Sequence, residues 1–309
     1  MKKIAFIIPP SVELLDLAGP VQVFTEAQFH GFEITIEFYS FHSTTVSAAG
    51  LPFGKIENYR QAVLKEGDFL FIPGVNFESL EKHLKTEKAF FEWLAGCSEN
   101  NITICSVCNA AFVLGAAGLL DNKECTTHWR RAGLLQARFP KTKVLTDVLY
   151  VKSGNIYTSA GISAGIDLAL SILEEWKDPL FVHKVARGLV VYHRRSHQHT
   201  QQSIYLDYRN HVNPKIHQVQ DFMIEHISSE ISLEILAARV NMSPRNLSRV
   251  FKETTGITTV DYLTKLRLEK ATTLKNNPDY TLSYIASECG FHSARQLQRI
   301  LKEGSSIEK

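Results

Sequence analysis

Residues 104–112 read ICSVCNAAF. The run Ile102–Val107 is short and apolar, and the residues after Cys108 open an amphipathic stretch, Ala110–Leu120. A buried strand that turns directly into a helix at Cys108 fits this pattern. The two cysteines, spaced C-x-x-C, could be a redox pair, half of a metal site, one reactive nucleophile and a bystander, or packing. Cys105 belongs to the strand and Cys108 to its end, so extended geometry separates their α-carbons by roughly 10 Å. A disulfide tolerates no more than about 7 Å. Zinc requires further ligands, and the sequence offers no second close cysteine pair. Cys108 alone keeps two readings open. At the turn it stands beside helix amides that favour a thiolate; as a free cysteine it is also a small buried hydrophobe.

Outward from this elbow the same grammar repeats. KIAFIIP, FEITIEFYSF, GDFLFIPG, NITICSV, KVLTDVLYV and NIYTSA all predict strands, and Leu17–Phe29, Glu87–Glu99 and Ala110–Leu120 predict helices between them. Alternation of continuous apolar strands with helices predicts an α/β domain on a mostly parallel sheet. Such sheets bind ligands beyond the carboxyl ends of their strands. The chain has 309 residues, 44% apolar and 21% charged, which suits a globular protein of two domains. The N-terminal MKKIAFIIPP has too short an apolar run for a secretory leader, and no segment approaches the ~20 apolar residues of a membrane span. Five cysteines in a chain of this size do not suggest a disulfide framework, so a reducing cytoplasm is the expected compartment. The net charge of +2 neither favours nor excludes nucleic acid, so any basic surface must be local.

From about Pro214 the β signals disappear and helical periodicity takes over. The expected organisation is therefore an α/β domain over 1–195, a polar linker over 196–213 and an all-α domain over 214–309. The linker region is rich in His, Arg and Gln but lacks a fixed metal-binding spacing, so a solvated or basic segment is expected rather than a metal site. Within the helical half, SLEILAARVNMSPRNLSRVFKE (Ser232–Glu253) aligns with TLSYIASECGFHSARQLQRILKE (Thr281–Glu303). Each copy is a hydroxyl-capped helix, a short break and a second helix starting at Ser243 or Ser293. Ser243 is followed by Pro244 at the first helical position, and Ser293 has Gln296 three residues on, a capping-box spacing.

The second helices agree best. Arg245, Asn246, Leu247, Arg249 and Lys252 correspond to Arg295, Gln296, Leu297, Arg299 and Lys302. The leucines face inward with Val250 and Phe251, or with Ile300 and Leu301, while the arginines share the outer face. This is helix-turn-helix grammar. Arg, Asn and Gln can read guanine and adenine edges, and Lys252, Lys302 and Arg239 suit phosphates. A basic solvated face explains one such helix as well, but two copies repeating both caps and cations point to double-stranded DNA. Between them VDYLTKLRLEKATTLKNN predicts a helix of about 18 residues, roughly 27 Å long, a spacer suited to successive major-groove turns about 34 Å apart.

These residues resemble the AraC/XylS family of transcriptional regulators over about Val212–Lys309, through LAARVNMSPRNLSRVFKETTG, YLTKLRLEKA and IASECGFHSARQLQRILK. Where that family closes its last helix with an aromatic, a Gly and a Pro, this chain has Leu301 and then KEGSSIEK, which implies a less well-capped end. Over about 1–190, TICSVCNAAFVLGAAGLLDNKECTTHW, FIIPPSVELLDLAGPVQVF, DFLFIPGV and IYTSAGISAGIDLAL resemble the PfpI-like, class I glutamine amidotransferase-like superfamily, in the branch that holds isonitrile hydratases and the ligand domains of AraC-type regulators. The resemblance implies a flavodoxin-like mostly parallel sheet with Cys108 as the elbow cysteine and Asp16 as its acidic partner. It departs at Asn109, where that branch often has Thr. That loss of a hydroxyl counts against catalysis.

The function expected is that of a cytoplasmic regulator. DNA would be bound by Arg245, Asn246, Arg249, Lys252, Ser293, Arg295, Gln296, Arg299 and Lys302. A small-molecule effector would be sensed by Asp16, Gly74, Cys108, Asn109, Gly161 and Ile162. No cofactor or metal is expected; a homodimer is, with RNA polymerase a further candidate partner. The alternatives are an isonitrile-hydratase-like or amidase enzyme using Cys108, and a regulator in which Cys108 senses redox state. His128, in CTTHW, is expected to be structural, held by the neighbouring threonine hydroxyls, and Cys97, Cys105, Cys125 and Cys289 to be packing.

Overall fold

The computed structural model describes residues 2–191, 195, 201, 203–275, 277 and 279–307, the side chains at 206 and 302–307 excepted. It divides into two compact units, Met1–Gln201 and Gln202–Lys309.

The first unit has eleven strands among its described residues. They are β1 (Lys2–Ile8), β2 (Ile34–Ser40), β3 (Thr45–Val46), β4 (Pro52–Phe53), β5 (Glu57–Asn58), β6 (Phe69–Ile72), β7 (Thr103–Val107), β8 (Glu124–Cys125), β9 (Lys143–Val144), β10 (Tyr150–Ser153) and β11 (Ile156–Ser159). Seven form one sheet in the order β10-β11-β7-β6-β1-β2-β5, while β3-β4 and β8-β9 make small separate pairs. Every pairing in the large sheet is parallel except β10 with β11. The helices are α1 (Leu14–Phe29), α2 (Phe77–Thr86), α3 (Lys88–Glu99), α4 (Ala111–Ala116), α5 (Ala132–Arg138), α6 (Ala164–Trp176) and α7 (Pro179–Gly188).

Strand alternation sends side chains to two cores. Ala5, Ile7, Leu70, Ile72 and Ile104 join Leu80, Phe90, Leu94 and Phe112 on one face. Ile4, Phe6, Phe69, Phe71 and Cys105 join Phe24, Leu168 and Val182 on the other. Both faces are covered, which is why these strands read as unbroken apolar runs. The chain leaves β1 for β2 on one side and returns with β6 on the other, so the order of the sheet reverses between β1 and β6. That is the place where such sheets open a crevice at their carboxyl ends.

Two predicted elements differ. KVLTDVLYV is not one strand: β9 ends at Val144 and β10 begins at Tyr150, and the chain between them supplies carbonyls to Thr126 instead of a ladder. The helix expected over Ala110–Leu120 ends at Ala116; Gly118 follows at φ +73°, a left-handed conformation that glycine adopts without cost.

The second unit holds α8 (Ile204–Asp207), α9 (Pro214–Glu225), α10 (Leu233–Arg239), α11 (Pro244–Thr255), α12 (Thr259–Lys275), α13 (Leu282–Glu288) and α14 (Ala294–Ile307). One core gathers Ile216, Val219, Met223, Leu236, Leu247, Phe251, Tyr262 and Leu266. A smaller one gathers Ala271, Ile285, Cys289, Phe291 and Leu297. The 17-residue α12, about 26 Å long at 1.5 Å per residue, serves both. Its cations also grip helix ends: Arg267 donates to the carbonyls of Ile227 at 3.0 Å and Ser229 at 2.8 Å, and Lys270 to that of Glu288 at 2.7 Å. Part of the stretch expected as linker is structured, since Ile204 of α8 is buried in the larger core. Residues 196–200 and 202 of that stretch lie outside the described residues.

Candidate functional site

Two places merit attention, one in each unit. In the first, β7 ends at Val107 and Cys108 takes φ +59° before a short 3-10 turn leads into α4. A left-handed conformation at a residue other than glycine is a sign of a functional constraint. The thiol is half-buried. Asp16, in the first turn of α1 after β1, is 1% exposed. Its Oδ1 accepts from the Ile162 N–H at 2.6 Å. Its Oδ2 has no hydrogen-bond partner of regular geometry among the described residues, although the Cys108 thiol lies beside it.

Glycines make this closeness feasible. A Cβ on Gly74 would come within 2.4 Å of Asp16 Oδ2 and 3.0 Å of Cys108 Cβ; one on Gly161 would come within 2.3 Å of Cys108 Cβ and 2.8 Å of its Sγ. Gly161 and Ile162 both have positive φ, +96° and +50°, which turns the Ile162 N–H towards Asp16. Asp16, Gly74, Cys108, Asn109, Gly161 and Ile162 therefore converge on one point at the carboxyl ends of β1, β6, β7 and β11.

Asn109 is built into the wall. Its Nδ2 donates to the Val75 carbonyl at 2.6 Å and its Oδ1 accepts from the Val75 N–H at 3.0 Å. The amide thus ties the segment after β6 to the elbow. Electrostatics also differ from expectation. Burial, then the neighbouring Asp16, push the Cys108 thiol far above its usual range, against a smaller opposing pull from the Asn109 N–H. Of the two readings left open for Cys108, this direction favours the small buried group over the thiolate: α4 is only six residues long, and an acid lies where a cation would be needed. Burial also lifts Asp16, up to about 6, although the Ile162 and Cys108 hydrogen bonds oppose it.

Around the elbow, Thr127 donates to the Cys108 carbonyl at 2.8 Å and Thr126 to that of Leu145 at 2.8 Å. The threonine hydroxyls are thereby engaged elsewhere than with His128. That ring accepts from the Arg130 N–H at 3.3 Å and stacks on Trp129 at 5.7 Å. Burial, then the charges of Arg130 and Arg131, lower its basicity. Cys97, Cys105, Cys125 and Cys289 are buried and free. No group of three or more His, Cys, Asp or Glu among the described residues could hold a metal ion.

In the second unit, Ser243 caps α11 by accepting from the Asn246 N–H at 3.3 Å, with Pro244 at the first turn and Gly256 closing the helix at φ +81°. Leu247 and Phe251 are fully buried, so Arg245, Asn246, Arg249 and Lys252 are all exposed on the opposite side. Arg249 reaches Glu253 at 2.7 Å and Asn246 at 3.0 Å. Ser293 caps α14 through the Gln296 N–H at 3.2 Å, and Gln296 Oε1 returns a bond to the His292 N–H at 2.8 Å. Arg295 and Arg299 are exposed there and Leu297 is buried. The Lys302 side chain lies outside the described residues.

Residues 2–175 match the model of the DJ-1/PfpI family and residues 236–304 that of a helix-turn-helix domain. The HTH-type transcriptional regulator CdhR of Pseudomonas aeruginosa is 29% identical over 301 residues, covering 95% of this chain and 86% of that protein. An isonitrile hydratase of Pseudomonas putida is 30% identical over 176 residues, 56% of this chain and 71% of the hydratase. The crystal structure of a ThiJ/PfpI family protein from Pseudomonas syringae superposes with a TM-score of 0.54 at 24% identity, over 78% of this chain and 88% of that one, a likeness of fold.

Proposed function

We propose, on the premise that this chain belongs to the DJ-1/PfpI family and carries an AraC-type helix-turn-helix domain, that it regulates transcription by binding double-stranded DNA under the control of a small effector. The observation that carries this is the pair of capped helices, α11 and α14, each with a buried leucine beneath an exposed cationic face and both held by α12. Arg245, Asn246, Arg249, Arg295, Gln296 and Arg299 would meet base edges, and Lys252, Ser293 and Lys302 the phosphates. Most of the affinity would come from phosphate contacts and fall steeply with salt.

The effector would sit at the crevice over Cys108, walled by Asp16, Gly74, Asn109, Gly161 and Ile162. Asp16 supports this: its carboxyl is buried, and among the described residues its Oδ2 has only the adjacent Cys108 thiol and no hydrogen bond of regular geometry, which leaves it able to accept one from water or a ligand. A pair of reading helices covers a short DNA site, so a homodimer on a repeated operator, with RNA polymerase as a further contact, completes the reading. No described helix is long and apolar enough to cross a membrane; the cytoplasm, where the DNA is, would be its place of action.

The function is regulatory rather than enzymatic. A neutral thiol flanked by an acid lacks the activation a cysteine nucleophile needs, and Asn109 has its amide committed to Val75. The test has two arms. The full chain should retain specific fragments from sheared genomic DNA of its host, and Arg245→Ala should weaken retention at physiological salt; unchanged retention would defeat the DNA assignment. Turnover of an isonitrile or amide by the purified chain, lost in Cys108→Ala, would establish the enzymatic alternative instead.

A further inference from the structure

The residue that ends the first unit, Gln201, is held by its side chain as few surface glutamines are. Its Nε2 lies within bonding distance of Thr126 Oγ1 at 3.1 Å and of the carbonyls of Thr127 and Val148 at 3.0 and 3.1 Å. Its Oε1 accepts from the Trp129 N–H at 2.8 Å, and its own N–H reaches Asp147 at 3.3 Å. Thr127 in turn donates to the Cys108 carbonyl. Gln201 is therefore one residue from the backbone of the elbow.

Arg195 makes a second anchor on a different loop. Its guanidinium meets Asp167 Oδ2 at 2.5 and 3.1 Å and Ser163 Oγ at 2.9 Å, and its N–H meets Asp167 Oδ1 at 3.3 Å. Asp167 is 4% exposed, so Arg195 neutralises a carboxylate that would otherwise be costly to bury. Ser163 adjoins Ile162, whose N–H holds Asp16. The two anchors thus grip the two loops, 126–129 and 161–163, that flank Cys108. Gly161 packs that loop directly on Cys108, where even a methyl group would overlap the cysteine, so a change at Cys108 is felt by the loop.

We propose that Gln201 and Arg195 couple the Cys108 crevice to DNA binding: a molecule entering the crevice displaces the loops, and the loops release or tighten the two side chains through which the chain leaves the first unit. This rests on the regulatory function proposed above and names its transmission. Coupling is reciprocal, so DNA must alter the crevice by the same factor by which the effector alters DNA binding. Cys108 is the natural reporter, since the other four cysteines are buried.

The experiment uses the full chain, genomic fragments that it retains itself, and N-ethylmaleimide, with modification of Cys108 followed by peptide mass spectrometry. In the unmodified sequence, DNA should change the Cys108 rate about fivefold or more, the lower range of ordinary allosteric coupling. Gln201→Glu keeps an acceptor for Trp129 but removes the side-chain donor to Thr126, Thr127 and Val148; Arg195→Lys keeps the charge and removes the fork. Each should still retain DNA, melt normally, and show less than about a twofold DNA effect on Cys108. Should one variant fail to fold, the other decides. A rate indifferent to DNA in the unmodified sequence, or a full DNA effect in the folded variants, overturns the coupling while leaving the regulatory function intact. Failure to retain any fragment overturns that function, and the coupling with it.

Discussion

In the first helix-turn-helix unit Asn246 turns its side chain to Arg249, which is also paired with Glu253. At the corresponding position of the second unit, Gln296 bonds back to the His292 N–H and helps to start its helix. The first unit leaves helix initiation to Ser243 and Pro244, and its amide is free to pre-arrange an arginine on the exposed face. In the second, the same position reaches past the cap Ser293 to the N–H before it, a variant of the capping box. The turns differ in the same manner. Asn241 takes φ +51°, whereas Gly290 takes φ +72° wedged between the Ile227 carbonyl and the Arg267 guanidinium. A repeated sequence has thus been built in two ways: one unit arranges an exposed arginine with its amide, and the other is fastened into place by its turn.

The hardest blow to that distinction would come at the turns. Gly290→Ala should cost about 2 kcal/mol or more, from left-handed strain added to a Cβ placed 2.7 Å from the Ile227 oxygen. Asn241→Gly should change stability by no more than about 0.5 kcal/mol. Urea unfolding followed by circular dichroism measures both, and equal losses would erase the difference between the turns. Next in size are the arginines. Arg245→Ala should lose about 1–3 kcal/mol of DNA affinity if it reads a base, and Arg295→Ala less; fluorescence anisotropy on a retained fragment at fixed salt gives the ratio, and a ratio reversed in favour of Arg295 would invert the division of labour.

The caps sharpen the contrast further. Ser243→Ala and Ser293→Ala should each cost about 1 kcal/mol of stability. Gln296→Ala should add a loss of roughly 0.5 kcal/mol in stability as its box opens, while Asn246→Ala should leave the melting temperature unchanged and weaken DNA binding alone. The smallest effect belongs to Glu253→Gln. Breaking an exposed pair with Arg249 should shift stability by less than about 0.5 kcal/mol, and the released arginine should tighten DNA binding slightly. Weakened binding would mean that Glu253 holds Arg249 in its reading posture.

Much of this was legible beforehand because it follows from local periodicity. The strand over Thr103–Val107, the turn at Cys108, the two capped helices and the helix between them all depend on neighbours in sequence. KVLTDVLYV misled because its apolar spacing is that of a strand, while Thr126 and Gln201 draw its middle carbonyls away from any ladder. That Asp16, Gly74, Cys108, Asn109, Gly161 and Ile162 lie together followed from motifs, but their chemistry did not. The elevated Cys108 and Asp16 arise from burial by segments distant in sequence, and Asn109 is committed to Val75, 34 positions away. Gln201 carries no local signal at all; its partners Thr126, Thr127 and Val148 are assembled only by the fold.

One consequence concerns how the second unit comes apart. Its second core is small, and α12 gives Tyr262, Leu263 and Leu266 to the larger one and Ala271, Leu268 and Leu274 to the smaller. A straight helix cannot melt at one end without withdrawing hydrogen bonds from its neighbouring turns. Amide hydrogen exchange should therefore find the middle of α12 opening only with the whole unit, as one cooperative block rather than two. The helix that both cores share would then also be the reason that neither helix-turn-helix unit folds for long without the other.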